Sequence, residues 1–185
     1  MTDLAGGFRH VMKLETDHLL LRPIEPGDIP GLVGLWTDPE VTRHLGGPRE
    51  RDKLWVGFTE DLANPPSGDF DLWPVVEKAS GRTIGHCGLL EKTVDGSPRI
   101  ELIYVIAREF WGRGYAGEIG RALTDYAFKV LGVSELIALI EPDNEISVRV
   151  AGKIGMVFEK ETIRPDGSRR LVYLLQADDA AGNGA

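Results

Sequence analysis

A single cysteine, Cys87, stands among the 185 residues. Its solitude excludes any internal disulfide and any metal site built on several thiolates, and it suits a reducing compartment. No apolar run approaches the roughly 18 residues that a membrane span requires. The opening MTDLAGGFRHVMKLE lacks the continuous apolar core of a signal peptide and carries charges throughout. Basic residues are in deficit: 21 Lys and Arg against 29 Asp and Glu leave a net charge of −8. Nucleic-acid binders draw their affinity from Lys and Arg on phosphates, so the balance argues against that class. These absences set the expectation of a soluble cytoplasmic protein with neither a membrane nor a nucleic acid as partner.

What is present is ordinary globular content. At 42% hydrophobic and 27% charged residues the chain is too apolar to stay disordered. Its length fits one domain that buries about 70% of the surface its unfolded form exposes. No repeat or low-complexity linker divides it. Residues 1–13 and 177–185 read as loose ends flanking a domain over 14–176.

Within that domain, His18–Arg22 reads as a strand closed by Pro23. A helix follows with Asp28 as N-cap, Pro30 in its first turn, and Leu32, Leu35 and Trp36 on its apolar face. Residues Arg49–Leu62 repeat apolar positions at helical spacing through Leu54, Trp55, Phe58 and Leu62. Strands at Phe70–Glu77, Thr83–Glu91 and Arg99–Ile106, separated by turn-rich segments, predict an antiparallel meander. A helix over Tyr115–Val130, stopped by Gly132, presents Ile119, Leu123, Tyr126 and Val130 on one side. Leu136–Ile140 is a short buried strand, Asn144–Ile154 a helix ended by Gly155, and Phe158–Ile163 with Leu171–Leu175 a hairpin about Pro-Asp-Gly-Ser. The order gives an α+β class: a mixed, mostly antiparallel sheet with helices on both faces.

The most informative segment is Trp111-Gly112-Arg113-Gly114-Tyr115-Ala116-Gly117, set between a strand and a helix. Small residues there let backbone N–H groups approach an anion, and the helix start adds about half a positive charge. A pyrophosphate is the natural guest, and Arg113 can add a charge-assisted bond. Gly112, Gly114 and Gly117 also spell the dinucleotide fingerprint, with Glu141 ending the next strand. Against that reading, Ala107–Trp111 intervenes between strand and glycines, and too little chain follows Glu141 for two nucleotide-binding halves. A nucleotide-linked oxidoreductase stays as an alternative.

The same segment resembles motif A of the GNAT acetyltransferase superfamily, Gln/Arg-x-x-Gly-x-Gly/Ala, with Gly114 and Ala116 in the last two places. Trp111 replaces the first. Phe-Trp-Gly-Arg-Gly-Tyr-Ala is similar to the RimJ/RimL-like branch, the ribosomal-protein N-terminal acetyltransferases. So are Leu19–Pro23 with Glu25–Asp28, Ile84–Leu89, and Asn144–Arg149 followed by Lys153–Met156 and Phe158-Glu159. The resemblance spans about residues 14–176 and implies a splayed central strand pair that admits the pantetheine arm of acetyl-CoA. It implies that Trp111–Gly117 hold the phosphates through backbone N–H groups and that Tyr104, Val105 and Ile106 offer backbone to the arm. The Tyr104 N–H then holds the thioester carbonyl. Glu101, on one strand face with Ile103 and Val105, is the implied base, directly or through water; the competing reading is a solvated carboxylate paired with Arg99. The tyrosine that many members place six residues beyond Asn144 is Val150 here. Ser147 is left to hydrogen-bond the sulfur, and Asn144 to bond the pantetheine amides or cap its helix.

The implied reaction is acetyl transfer from acetyl-CoA to a primary amine by a monomer or homodimer. A non-catalytic acyl-CoA-binding module is a further alternative. Thr37–Arg49, Asn64–Phe70 and the hairpin Arg164–Arg170 lie on the acceptor side, and their mixed charges favour a peptide or protein α-amine over a polyamine or aminoglycoside. His86 and Cys87 are strand neighbours facing opposite ways, so they form no dyad. Cys87 reads as core; His44, in the loop Thr42–Pro48, is within reach of a substrate but reads first as a surface histidine. Asp69 and Asp71 fit the exposed side of a strand. No His-x-x-x-His or multi-carboxylate spacing suggests a metal.

Overall fold

The computed structural model describes residues 13–65 and 68–178. Apart from Lys13, Ala177 and Asp178, the loose ends expected at the termini lie outside these residues. One sheet of eight strands runs through the molecule: β1 (Leu14–Glu15), β2 (Leu19–Leu21), β3 (Leu72–Glu77), β4 (Arg82–Val94), β5 (Ser97–Ile106), β6 (Glu135–Ile140), β7 (Val157–Ile163) and β8 (Arg169–Gln176). Their spatial order is β1-β2-β3-β4-β5-β6-β8-β7. Neighbours are antiparallel except β5 and β6, which are parallel. The expected meander is therefore β3-β4-β5. Its second turn is Asp95-Gly96, with φ of 49° and 81°, a conformation whose twist matches that of the flanking strands. That fit lets β4 and β5 pair from Gly85↔Ile106 out to Val94↔Ser97, longer than composition suggests.

Helices cover both faces. On one lie α1 (Ile29–Thr37), α2 (Pro39–Thr42) and α3 (Arg51–Ala63); on the other lie α4 (Tyr115–Lys129) and α5 (Glu145–Ile154). The larger core sits under α4 and α5, where Leu21, Val75, Leu89, Leu102, Ile119 and Leu123 pack together. Each such side chain contributes about 1.5–3 kcal/mol by leaving water. The smaller core joins Leu32, Val33 and Phe58, and a third patch joins Leu35 and Val41 to Val105 of β5.

Several expectations change. Trp55 and Val130 are not core: they are 45% and 53% exposed, because α3 and α4 turn those positions to solvent. Asp28 does not cap α1 with its side chain. Its buried carboxylate instead accepts from the Glu25 N–H (2.7 Å), the Arg22 guanidinium (2.6 Å) and the Thr83 hydroxyl (2.5 Å), tying β2, a 3₁₀ turn at Pro26–Asp28 and β4 together. Asp71 precedes β3, its carboxylate accepting from the Leu72 N–H. Neither β1 nor α2 is visible as periodicity, since each is too short. α2 stands because Asp38 accepts from the N–H groups of Glu40 and Val41.

Candidate active site

The site begins with a failure of pairing. β5 and β6 meet at one register position, Glu101↔Ile137. Beyond it β5 runs on to Ile106 and β6 to Ile140 without pairing, so a wedge opens toward the C-terminal ends of both. Tyr104, Val105 and Ile106 form one wall and present β5 backbone groups with no strand partner on that side.

At the top of β5 the chain makes a 3₁₀ turn, Arg108–Phe110, and enters the glycine segment. The Trp111 indole N–H donates to the Ile106 carbonyl at 2.7 Å, pinning the segment to the strand end. Gly112 and Gly114 have φ of +78° and +84°, the left-handed region that glycine enters freely. A Cβ at either would meet nothing within 4 Å, so the space in front of them is open. Gly114 is the N-cap of α4, and the first-turn N–H groups of Tyr115, Ala116 and Gly117 have no intrahelical acceptors. An open cradle of donors at a helix start fits a phosphate chain. Side chains here turn away from it. The Tyr115 hydroxyl donates to Glu77 at 2.8 Å, and the Arg113 guanidinium pairs with Glu77 at 3.2 Å while lying 4.8 Å from the Phe110 ring centre. Bonds from Ser80 and Tyr115, then the charge of Arg113, hold the Glu77 carboxyl below its ordinary range. Arg113 is thus paired with Glu77, with about half of its side chain still exposed beside the loop.

Across the wedge, the Asn144 side chain accepts from the Ser147 N–H at 3.1 Å and caps α5. The Tyr104 hydroxyl donates to the Ser147 carbonyl at 3.1 Å, bridging β5 to α5. Burial pushes that phenol above its usual range, so it stays protonated. Sequence reasoning sought a tyrosine at position 150; a hydroxyl reaches α5 from the opposite strand instead, a placement with no local signal.

Glu101 sits at the closed end of the wedge. It is 8% exposed, not solvated, and Arg99 pairs with Glu135 and Glu159 rather than with it. Burial raises its carboxyl above the ordinary range, while Lys92, Arg164, the Leu139 N–H and Arg170 pull the other way. On the same face of the sheet, His44 is no bare surface histidine: its Nδ1 lies 2.8 Å from Glu141, the residue after β6. Glu141 in turn takes Arg170 at 3.1 Å. His86 and Cys87 do face opposite ways. Cys87 is fully buried with its thiol pushed up to about 12, and burial lowers His86 to about 4 beneath Trp36 and Phe58. Among the described residues, no group of three or more His, Cys, Asp or Glu could hold a metal ion.

A family model described as an acetyltransferase (GNAT) domain matches residues 18–157, which contain the wedge, the glycine loop and α5. The chain belongs to the GNAT acetyltransferase family. The family match, on a sheet with a single parallel pair where a dinucleotide fold needs several, removes the nucleotide-linked oxidoreductase reading, and the chain is an acyltransferase. It is 37% identical over 164 residues to the Uncharacterized protein YkkB of Bacillus subtilis (strain 168), covering 87% of this chain and 94% of that one. The crystal structure of an acetyltransferase from Agrobacterium tumefaciens str. C58 superposes with a TM-score of 0.74 at 30% identity, over 90% of this chain and 95% of that one. A spermidine N-acetyltransferase from Vibrio cholerae, solved with CoA and spermine, shares the fold at TM-score 0.71 and 18% identity, over 90% and 99% of the two chains.

Proposed function

We propose that this GNAT N-acetyltransferase moves the acetyl group of acetyl-CoA to the primary amine of a small cationic molecule in the cytoplasm. The carrying observation is the wedge between β5 and β6 with an open donor cradle at its mouth. In this reading the N–H groups of residues 112–117 hold the pyrophosphate, and the β5 backbone from Tyr104 to Ile106 pairs with the pantetheine arm. The Tyr104 N–H faces the thioester oxygen as charge builds on it, a contact of a kind worth about 10²–10³ in rate. Glu101 draws a proton from the attacking amine through water. Ser147 hydrogen-bonds the sulfur as the thiolate leaves, the proton that Glu101 takes returns to that sulfur through water, and Asn144 bonds the arm's amides. Trp111 in the first motif place supports a position near the RimJ/RimL-like branch.

For the acceptor, the charge count over the loops favours a peptide, but two of the three hairpin arginines are already neutralised. Arg169 pairs with Glu161 at 2.6 Å and Arg170 with Glu141. Fewer cations therefore face the acceptor than the sequence suggests, which supports a cationic amine, and the Vibrio neighbour's spermine complex points the same way. Calorimetry with acetyl-CoA and NADPH, followed by thiol release against spermine, an aminoglycoside and a small-residue peptide, tests this. Micromolar acetyl-CoA binding with fastest release on spermine is expected. Tight CoA binding with no release on any amine leaves a binding module, and preference for the peptide returns the acceptor to the α-amine class.

A further inference from the structure

The loop after α2 crosses the mouth of the wedge. It is a fixed turn: the N–H groups of Leu45 and Gly47 donate to the Thr42 carbonyl, and the Arg49 side chain donates to the carbonyls of Leu45 and Gly47. Leu45 packs against the patch of Leu35, Val41 and β5's Val105. His44, its neighbour, bonds Glu141 at the end of β6. The turn therefore spans both walls. Counting four residues up each strand from Glu101↔Ile137 sets Glu141 level with Val105. Glu101 lies three residues below Tyr104, about 10 Å of extended chain. The imidazole thus stands at the height where an amine meets the thioester, and Glu101 at the floor.

The pairing also selects a tautomer. A carboxylate accepts only, so Nδ1 facing Glu141 carries the hydrogen and Nε2 keeps its lone pair. Arg170, on the other oxygen of Glu141, holds that carboxylate in place. The His44 side chain is 25% exposed, enough to pass a proton to water.

An alkylamine reaches the site as an ammonium ion, and the nitrogen must lose two protons to become an amide. One N–H bond breaks before attack, its electron pair becoming the nucleophile; the other breaks after the C–N bond forms, and its proton is balanced by the one the thiolate gains. Resting on the proposed acetyl transfer, we infer that His44 is a catalytic residue for the first of these: Nε2 takes the ammonium proton at the mouth and releases it to solvent. Glu141 and Arg170 are its positioning residues, the carboxylate stabilising the imidazolium as it forms. Glu101 serves the second proton, from the floor.

The test uses the full chain, acetyl-CoA as donor, and two acceptors of similar size: benzylamine, an ammonium ion at pH 7, and benzyloxyamine, which is neutral there. His44→Gln should lower kcat/KM for the ammonium about a hundredfold, leave the neutral acceptor within about threefold of the parent, and keep the acetyl-CoA affinity. Glu141→Gln should follow the same pattern more weakly. Equal losses on both acceptors, or none on benzylamine, overturn the proposal and leave a structural latch. Nitrogen-15 spectra of the His44 ring decide independently of turnover. The Nδ1–H tautomer is expected in the parent and a mixture in Glu141→Gln, whereas an Nε2–H tautomer in the parent rejects the proposal. A parent chain idle on every amine would defeat the acetyl-transfer reading while the spectra still judged the dyad.

Discussion

Glu101 shows how much a residue's chemistry depends on what folds over it. A carboxylate whose burial raises it above the ordinary range is a stronger base than one in water, and it also protonates sooner as pH falls. Turnover should accordingly decline on the acid side as Glu101 takes up its proton. Glu101→Gln is expected to reduce kcat by about 10²–10⁴-fold with the acetyl-CoA dissociation constant unchanged. The loss should narrow as pH rises, because hydroxide then takes the nitrogen's second proton without help. A kcat profile that overlays the parent's makes Glu101 a structural carboxylate. Its strand face was legible from a period of two, but its burial was not. Lys92 is a hairpin neighbour, whereas Arg164, Arg170 and Leu139 come from segments the sequence places far away.

At the scale of elements, the segment from Gly112 into α4 carries the clearest local signal, since two glycines must adopt a left-handed backbone to launch the helix. Gly114→Val puts a β-branched residue at φ +84°, where L side chains pay about 1–2 kcal/mol. The new side chain meets no protein atom but stands in the approach to the first-turn N–H groups. Acetyl-CoA affinity should fall at least about tenfold with the fold retained, measured by calorimetry beside circular dichroism. Parent-like affinity would show that phosphates do not bind there. The β3-β4-β5 meander, α4 and α5 were readable because periodicity, turn residues and caps agree along each. Trp55 and Val130 were misplaced because the sequence repeats apolar positions beyond the stripe each helix buries. β1 and α2 escaped because two and four residues display no period.

On the scale of the whole molecule, folding stability carries a pH signature from His86. The Trp36 indole N–H donates to its Nδ1 at 3.0 Å, and burial holds the ring near 4 against 6.5 in the unfolded chain. With the folded value depressed, the unfolded chain binds the proton first. Stability is therefore full above about 6.5 and is lost as pH falls toward 4, by at most about 1.4 kcal/mol per pH unit. Urea midpoints at pH 7 and pH 5 should differ less for His86→Phe than for the parent; equal differences would mean the ring is not held neutral. Carboxylates such as Asp28, held low by Arg22 and Thr83, lose their contribution only below about 3.8, outside the interval from pH 7 to pH 5. By itself the sequence determined the class of fold, the order of its longer elements and the glycine turn that launches α4, because each follows from steric and hydrogen-bonding preferences of residues close along the chain. Only the tertiary structure decided that β5 and β6 part after one pair, that Arg113 turns to Glu77, and that His44 meets Glu141 97 residues away. Those outcomes depend on which strands lie side by side and what each buries, and pairing across such distances leaves no trace in local pattern.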